Sequence, residues 1–459
     1  MNEPFHEVVE GLANAKAPVF VTAAAGCGKT EAIVKAVAQS AGRQLILTHT
    51  NAGVAALRSR FRRYAVPESQ YRVETIASWL LKYTSAYPSM SGFANPRPQG
   101  DDWGNVYPAA KSLFIYPFIK DVLQASYQGV FIDEYQDCTQ NQHSVILNMC
   151  EYLPVRVLGD PLQGIFGFQN DPLVNWRTDV EQIFQPLPNL TEPYRWSKTN
   201  PDLGKQLAQL RDKLLNNDEI ELNAYSEIEW HSWTEDREKE VCRYADITKS
   251  GTITGIHQWP NDAHSAAGRM SGKYQSVEEM DCKDLMSTAS KIERWRSQGN
   301  YQAIGNEVKN FILKGCGNRA PFSDPNYLRT EFLRLGQGEL KVISEIIEII
   351  THDPNMQAYR HELFTEMKRA AQEFASGKWS TFDEAAYVVR YRTRVNGRKP
   401  ENRVISRTLL IKGLEFDHAI VLYADKLQNR ENFYVAITRG SQSLTIISIS
   451  PSVHYSIIS

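Results

Sequence analysis

The chain is poor in cysteine, and its six cysteines lie far apart among 459 residues with no CxxC pair. Scattered cysteines argue against a zinc site and against a disulfide framework, and they fit a reducing cytoplasm. No apolar run approaches the roughly 20 residues that a membrane-spanning helix needs. The N-terminal segment is acidic rather than basic, which is not typical of a secretory signal. We therefore expect a cytoplasmic protein that has no membrane partner.

The sequence also lacks an excess of basic residues, since its formal net charge is −2. A protein that coats nucleic acid is usually basic, so this balance argues against tight, non-specific duplex binding. A protein that binds nucleic acid in one local groove needs no overall excess of basic residues. The charge balance therefore neither supports nor excludes a role on DNA.

Short apolar runs alternate with stretches that are compatible with helices. A first set covers residues 18–22, 44–48, 129–132 and 155–158, and a second covers 228–233, 252–257, 404–410, 419–423 and 444–448. Strands that alternate with helices predict parallel α/β sheets, so the two sets predict two α/β domains. From about 281 to 399 the apolar residues recur mostly at helical spacing.

The most specific local pattern follows the first apolar run and precedes a helical stretch. It consists of Ala23, Ala24, Ala25, Gly26, Cys27, Gly28, Lys29 and Thr30. This context is that of a Walker A loop, whose backbone N–H groups face phosphate oxygens at a helix N-terminus. Lys29 is expected to reach the β- and γ-phosphates of ATP, and Thr30 to bind Mg²⁺. Ala23 replaces the usual first glycine, and the alternative interpretation is a glycine-rich turn.

Two acidic residues, Asp133 and Glu134, end the apolar run at 129–132. Because sites in α/β proteins form at the carboxyl ends of the strands, we expect both carboxylates beside the phosphate loop. Asp133 is expected to bind Mg²⁺, directly or through water, and Glu134 to accept a proton from the attacking water. The alternative is a solvated acidic loop, which the neighbouring phosphate loop disfavours.

Further segments, taken in order, resemble the motifs of UvrD/Rep/PcrA-type superfamily 1 helicases. They are THTN at 48–51, AALR at 55–58, TIASW at 75–79, DEYQD at 133–137, GDPLQGIFGF at 159–168, YRWS at 194–197, KGLEF at 412–416 and YVAITR at 434–439. The resemblance spans nearly the whole chain. It implies a DNA-stimulated ATP hydrolase and helicase that moves 3′-to-5′ on single-stranded DNA or at junctions of single and double strands.

The resemblance also implies an α/β fold with two RecA-like P-loop NTPase domains, each with a parallel sheet. Residues 1–195 are predicted to form the first motor domain, with a minimal accessory segment at about 82–125. Residues 196–280 and 400–459 are predicted to form the second motor domain, and 281–399 a reduced helical insertion in it.

The same resemblance implies roles for four further residues. Gln163 would contact the γ-phosphate and report its loss to the DNA groove. Arg195 and Arg439 would reach across from the second domain as arginine fingers that stabilise charge on the transferring phosphoryl group. Glu415 would contact the nucleotide near its ribose. The alternative for each arginine is a surface or salt-bridged side chain.

Aromatic side chains can grip a single strand because every base offers a π-face. The leading candidates are Phe166 and Phe168, which follow the Gln163 sensor. In the segment at 48–51, His49 could stack, and Thr50 and Asn51 could bind phosphate oxygens. Trp79 is a further candidate, for which a core position is the alternative.

The sequence departs from the family pattern in two ways. The upstream glutamine that reads adenine is missing, since no glutamine precedes Gln39. The intervals that carry large accessory domains in the family are short, so we expect a compact motor, and no appended nuclease domain after Arg439. In size and trimmed architecture the chain resembles the helicase-like subunit of Gabija-type antiphage systems, which partners an OLD-type nuclease.

Three functions remain open from the sequence. The first is an ATP-driven translocase or helicase in DNA repair or antiphage defence. The second is a DNA-end-sensing ATPase that regulates a partner nuclease without processive unwinding. The third is a P-loop enzyme of another class, such as a small-molecule kinase, whose activity single-stranded DNA would leave unchanged.

Overall fold

The computed structural model describes residues 3–96, 98, 102–166, 171–279, 282–396 and 401–455. They form two compact units. The first unit comprises Met1–Ile220, Asn429–Gln442 and His454–Ser459, and the second comprises Glu221–Gln428 and Ser443–Val453. The predicted α/β class is confirmed, because two six-stranded sheets have parallel strand pairs. No helix among the described residues is long and apolar enough to cross a bilayer.

The first unit is built on a sheet with the order β3-β2-β4-β5-β1-β6. Its strands are β1 (Val19–Thr22), β2 (Gln44–Thr48), β3 (Tyr71–Thr75), β4 (Gly129–Ile132), β5 (Val155–Gly159) and β6 (Gln185–Pro186). Strands β2, β4 and β5 are buried along their whole length. Such continuous burial explains their apolar sequences, since helices cover both faces of a parallel sheet.

Ten helices belong to the described part of this unit. They are α1 (Glu3–Asn14), α2 (Lys29–Gln39), α3 (Asn51–Arg63), α4 (Ile76–Ala86), α5 (Pro88–Ser91), α6 (Trp103–Leu113), α7 (Pro117–Ser126), α8 (Gln140–Cys150), α9 (Pro201–Asn216) and α19 (Arg430–Ile437). One apolar core contains residues of α1, α2 and α3, and another contains residues of α4, α6 and α8. In the predicted accessory segment at 82–125, the described residues include α5, α6 and most of α7, joined by non-helical turns.

Parallel register brings the carboxyl ends of the strands to one edge of this sheet. Thr22 at the end of β1 lies opposite Gly159 at the end of β5, and Leu47 of β2 lies opposite Ile132 of β4. The phosphate loop, the acidic pair and the segment that contains Gln163 all follow these strand ends. The fold therefore delivers three sequence motifs to the same edge.

The second unit contains a sheet with the order β10-β11-β9-β12-β13-β8. The strands from β7 onward are β7 (Ile220–Glu221), β8 (Ile228–Ser232), β9 (Ile253–His257), β10 (Gln275–Ser276), β11 (Arg403–Arg407), β12 (Phe416–Val421), β13 (Gly440–Ser448) and β14 (Ser452–Val453). Helices α10 (Glu235–Thr248) and α11 (Pro260–Arg269) alternate with the strands, and α18 (Thr408–Ile411) is a single turn.

A helical subdomain with its own apolar core interrupts the second sheet between β10 and β11. Its helices are α12 (Lys283–Ser297), α13 (Tyr301–Gly315), α14 (Arg329–Gly336), α15 (Val342–His352), α16 (His361–Ala375) and α17 (Phe382–Asn396). The sequence expectation of a helical stretch at 281–399 agrees with these helices. Residues 196–220 and 429–442, which the sequence assigns to the second motor domain, pack within the first unit. The domain boundaries themselves remain a prediction.

Candidate active site

The phosphate loop, residues 23–30, connects β1 to α2. Gly26 and Gly28 have φ angles of 71° and 86°, a left-handed conformation that side chains other than glycine rarely adopt. A β-carbon on Gly26 would also lie 2.7 Å from the Trp196 ring and 2.8 Å from Arg195 Cβ. The loop thus needs glycine both for its backbone conformation and for the segment packed against it.

The acidic pair lies against the lysine of the loop. Lys29 Nζ is 2.7 Å from Glu134 Oε1 and 3.9 Å from Asp133 Oδ1. Glu134 has a φ of 58°, unusual for a residue with a side chain, and its N–H donates to Asp133 Oδ1 at 3.0 Å. Left-handed residues of this kind cost free energy and cluster at functional sites. The structure therefore brings together three residues that the sequence predicts for one site.

Burial sets the electrostatics of this cluster. Burial raises the pKa of the Asp133 carboxyl above its usual range, and the Lys29 ammonium opposes that rise while Glu134 adds to it. For Lys29, burial disfavours the charged form, but Glu134 and Asp133 outweigh it and raise the lysine pKa. The pair of carboxylates thus holds a buried cation beside the phosphate loop.

Oxygen donors suited to Mg²⁺ occupy the same edge. The Asp133 carboxylate is buried after β4, and Thr30 places a hydroxyl on the first turn of α2. Carboxylate and hydroxyl oxygens are ligands that Mg²⁺ prefers. The residues present therefore fit the predicted metal.

A buried glutamine, to which the sequence motifs assign no role, links the acidic pair to the next motif. Gln136 donates from Nε2 to Glu134 Oε2 at 2.5 Å, and its Oε1 accepts the Asp160 N–H at 3.0 Å. Asp160 Oδ2 in turn accepts from Gln163 Nε2 at 2.9 Å. Glu134 and the predicted γ-phosphate sensor Gln163 thus belong to one hydrogen-bonded chain.

The segment around Arg195 packs directly on the phosphate loop. The Arg195 N–H donates to the Gly26 carbonyl at 3.1 Å, and its Nη1 donates to the Thr438 carbonyl at 2.5 Å. Trp196 covers Gly26 and donates from Nε1 to the Gly440 carbonyl at 2.8 Å. The first predicted arginine finger is thus connected to the loop and to the chain around Arg439.

The helix that precedes Arg439 also contacts the loop. The Ala25 N–H donates to the Tyr434 hydroxyl at 3.2 Å. Arg439 is only 1% exposed; its Nε donates to the Val435 carbonyl at 2.8 Å, and its Nη2 to Thr438 Oγ1 at 2.9 Å. The sequence predicts that Arg439 reaches in from the second domain, whereas residues 429–442 pack in the same unit as the loop. Its role as an arginine finger stays a prediction.

Three residues that are predicted to contact a nucleic-acid strand lie together where β2 ends and α3 begins. Thr50 caps α3 by accepting the Gly53 N–H at 3.0 Å, and Asn51 is the first residue of that helix. His49 Nε2 lies 3.6 Å from the sulfur of Cys138, which follows the acidic pair. These residues lie at the carboxyl edge of the first sheet, and their contact with a nucleic-acid strand stays a prediction.

The aromatic candidates differ in their placement. Trp79 is 2% exposed and packs in the core against Tyr83 and Phe114, with ring centroids 5.0 and 5.5 Å away. It is therefore a core residue and not a stacking platform, which corrects that expectation. Phe166 is partly buried, and Phe168 lies outside the described residues.

Glu415 belongs to the second unit, where it is exposed immediately before β12. Its predicted contact with the nucleotide ribose therefore stays a prediction.

Besides Gln136, two further functional candidates have no clear signal in the sequence. Tyr434 stands inside the YVAITR segment, but nothing in the pattern indicates that its hydroxyl binds the loop. Arg211 lies on α9, outside every motif, and donates from Nη2 to Asp160 Oδ1 at 3.0 Å. A single arginine in an amphipathic helix gives no signal in the sequence, since such residues usually face solvent.

Two six-stranded sheets with parallel strand pairs, and a glycine-containing loop between β1 and α2, define an α/β protein with a phosphate-loop motif. Residues 101–178 match the family model described as the UvrD/REP helicase N-terminal domain. The match covers less than half of the chain, so it shows a similarity of these residues to part of a helicase domain. The chain has no significant match among curated proteins.

Several solved helicase structures align with the chain. A structure of Pif1 helicases at forked duplex DNA is 14% identical over 58% of this chain and 57% of that one, with a TM-score of 0.34. Pif1 helicase from Bacteroides in complex with ADP-AlF3 and single-stranded DNA is 13% identical over 58% and 56%, with a TM-score of 0.31. The arterivirus helicase, nonstructural protein 10, is 10% identical over 97% and 62%, with a TM-score of 0.36. The chain covers less than two thirds of each of these proteins.

Proposed function

We propose that the protein is an ATP-driven motor of UvrD type that moves along single-stranded DNA. The observation that carries the proposal is the cluster at the phosphate loop. Lys29 lies 2.7 Å from Glu134, and the loop amide of Ala25 bonds Tyr434 of the YVAITR segment. A lysine, two carboxylates and two arginine-bearing segments on one loop are the parts that phosphoryl transfer needs.

On the acidic side, Lys29 binds the β- and γ-phosphates, and Glu134 accepts the proton of the attacking water. Gln136 orients Glu134 through the bond to Oε2, which leaves Oε1 toward Lys29. Thr30 and Asp133 hold Mg²⁺, which supplies charge neutralisation to the phosphates when it is bound.

On the opposite side, Arg195 and Arg439 stabilise the negative charge that develops on the transferred phosphoryl group. Both contact Thr438, one through its carbonyl and the other through its hydroxyl, which keeps the two arginine segments together. Gln163 senses the γ-phosphate.

The single-stranded DNA lies at the carboxyl edge of the first sheet. His49 and Phe166 stack on bases, with Phe168 as a further candidate, and Thr50 and Asn51 bind phosphate oxygens. A motor of this type moves 3′-to-5′ and serves DNA repair or antiphage defence.

A second function is a DNA-end-sensing ATPase that licenses a partner nuclease of OLD type. The short helical accessory segment between β3 and β4 favours it, because little surface is left there to separate strands. A strand-displacement assay separates the two functions. A purified chain that unwinds long duplexes without a partner would exclude the sensor.

The central test is Glu134→Gln. Removal of a general base typically slows chemistry by about 10²–10⁴-fold, while a neutral isostere leaves ATP binding within a few-fold. The measurements are hydrolysis with and without single-stranded DNA, and equilibrium binding of a fluorescent ATP analogue. Glu181→Gln, an exposed change in the same unit, is the matched control. Undiminished ATP hydrolysis by Glu134→Gln would show that Glu134 is not the general base. If single-stranded DNA did not change ATP hydrolysis by the wild type, the proposed motor function would be refuted.

A further inference from the structure

Arg211 is a buried cation that no motif contains. Its side chain is mostly buried, and its only carboxylate partner in the described chain is Asp160, which is fully buried. A buried ion pair is costly to form, because both charges lose their hydration. Among the residues that the structure describes, the buried Arg211 Nε–H has no acceptor. An ion pair that only stabilised the fold would not need to be buried in this way.

Asp160 connects Arg211 to the predicted γ-phosphate sensor. One carboxylate oxygen, Oδ1, accepts from Arg211 Nη2 at 3.0 Å, and the other, Oδ2, accepts from Gln163 Nε2 at 2.9 Å. The same Oδ1 accepts the Leu162 N–H at 3.3 Å, so Asp160 also shapes the turn that carries Gln163. The orientation of the Gln163 amide therefore depends on an aspartate that Arg211 holds in place.

The charges of this pair reach the phosphate loop. Burial, together with the charge of Asp160, raises the pKa of the Cys27 thiol to about 12, while Arg211 acts in the opposite direction. Tyr434, which bonds the loop, lies within the electrostatic range of Arg211 as well. The pair is thus close enough to the loop for its arrangement to matter to a bound triphosphate.

Helix α9, which carries Arg211, is hydrogen-bonded near both ends to the chain on either side of Arg439. Its N-terminal cap, Asn200, donates to the Gln442 carbonyl at 3.1 Å, just beyond Arg439. Its last turn offers the Leu214 carbonyl to Arg430 Nη1, also at 3.1 Å. Arg430 begins α19, which packs against the turn at 161–163. A displacement of α19 would therefore be transmitted to Asp160 along α9.

We propose that Arg211 is a positioning residue that holds the γ-phosphate-sensing amide of Gln163 through Asp160. The inference rests on the proposed function, because Gln163 is a sensor only if the loop binds a nucleoside triphosphate. Arg211 does not touch the nucleotide in this account. Replacement of Arg211 therefore weakens the discrimination of the protein between ATP and ADP and leaves the binding of the α- and β-phosphates intact.

The test measures the ratio of the Kd for ADP to the Kd for a non-hydrolysable ATP analogue. Arg211→Met removes the charge at similar length, and Lys205→Met makes the same charge change at an exposed position of α9. We expect Arg211→Met to reduce the ratio about tenfold, the effect of one hydrogen bond to a charged group, with ADP affinity within twofold. Arg211→Lys, which retains the charge, should keep most of the ratio, and Lys205→Met should keep all of it.

A double-mutant cycle shows whether Arg211 acts through Gln163. Gln163→Ala should reduce the ratio as Arg211→Met does, and the double variant should lose no more than either single variant. Additive losses, or equal losses of ADP and ATP affinity, would overturn the inference. If Arg211→Met does not fold, Arg211→Gln, which also removes the charge, is combined with Gln163→Ala in the same cycle.

The two proposals can fail separately. If Gln163→Ala leaves the ratio unchanged, the positioning role is refuted, while DNA-stimulated hydrolysis by the wild type still supports a motor. If DNA does not stimulate hydrolysis but the cycle gives the expected coupling, the motor is refuted and Arg211 keeps its role.

Discussion

The hydroxyl of Tyr434 offers a sharp test of how the YVAITR segment supports the phosphate loop. Tyr434 is buried, and its hydroxyl accepts the N–H of Ala25, which is also buried. In Tyr434→Phe the ring still fills its place, so the change removes one acceptor and little packing. The Ala25 N–H is then left without that partner inside the protein.

The expected magnitude follows from that N–H group. A buried donor that loses its acceptor costs about 1–3 kcal/mol, and we expect a loss of about 1–2 kcal/mol in the free energy of unfolding. For a unit of this size the melting temperature falls by about 2–6 °C. Because Ala25 lies in the loop that cradles phosphates, ATP affinity should fall about three- to tenfold as well.

Thermal denaturation and equilibrium binding of ATP measure the two effects. Tyr64→Phe is the matched control, since Tyr64 is exposed and its hydroxyl contacts Glu31 on the surface of the same unit. That variant should melt within about 1 °C of the wild type, as surface hydrogen bonds contribute little net free energy. If Tyr434→Phe matched the control in both measurements, the Tyr434 bond would not fix the loop.

Two further changes test the packing of each unit. Arg156 is buried in β5 and donates to the carbonyls of Leu12 and Ala15 at the end of α1, at 2.9 and 3.0 Å. Arg156→Met should lower the free energy of unfolding by about 2–4 kcal/mol, measured by urea denaturation, because buried carbonyls lose a charged donor. In the second unit, burial lowers the pKa of His264 to about 4. Between pH 6.5 and 4 only the unfolded chain then binds a proton at this histidine. The free energy of unfolding therefore decreases by up to about 3 kcal/mol as the pH is lowered through this range, and His264→Gln should flatten that dependence.

The sequence predicts the central strands well because they are buried on both faces and therefore uniformly apolar. It misses β3, where Arg72 and Glu74 interrupt the apolar pattern. Glu74 is nevertheless buried, and its carboxylate is held by Arg72 at 2.5 Å and by Lys82. A charged residue whose partners lie nearby can enter a strand, and periodicity alone cannot distinguish it from an exposed turn.

The acidic side of the candidate site is predictable for a related reason. Lys29, Asp133 and Glu134 follow strands whose ends meet at one edge, so chain order and strand direction already bring them together. Arg211 is different, because its contact with Asp160 depends on how α9 packs after a long intervening segment. That packing depends on tertiary contacts, which the spacing of residues along the chain does not predict.

Thr438 is the residue at which the two predicted arginine fingers meet. Its carbonyl accepts from Arg195, while its hydroxyl accepts from Arg439 Nη2 at 2.9 Å. Thr438→Val keeps the shape and the carbonyl but removes the hydroxyl, so it should disturb Arg439 alone. The Tyr434 carbonyl, to which the hydroxyl donates, keeps the Thr438 N–H at 3.2 Å.

If Arg439 stabilises the transferred phosphoryl group, a less constrained guanidinium should lower kcat about three- to tenfold, with the KM for ATP within twofold. Thr438→Ser, which retains the hydroxyl, should stay near the wild-type kcat. DNA-stimulated steady-state hydrolysis measures both values. A normal kcat in a folded Thr438→Val would mean that the Arg439 orientation seen here does not serve catalysis. A raised KM with an unchanged kcat would instead assign Arg439 to binding of the ground-state nucleotide, because only a contact specific to the transition state lowers kcat.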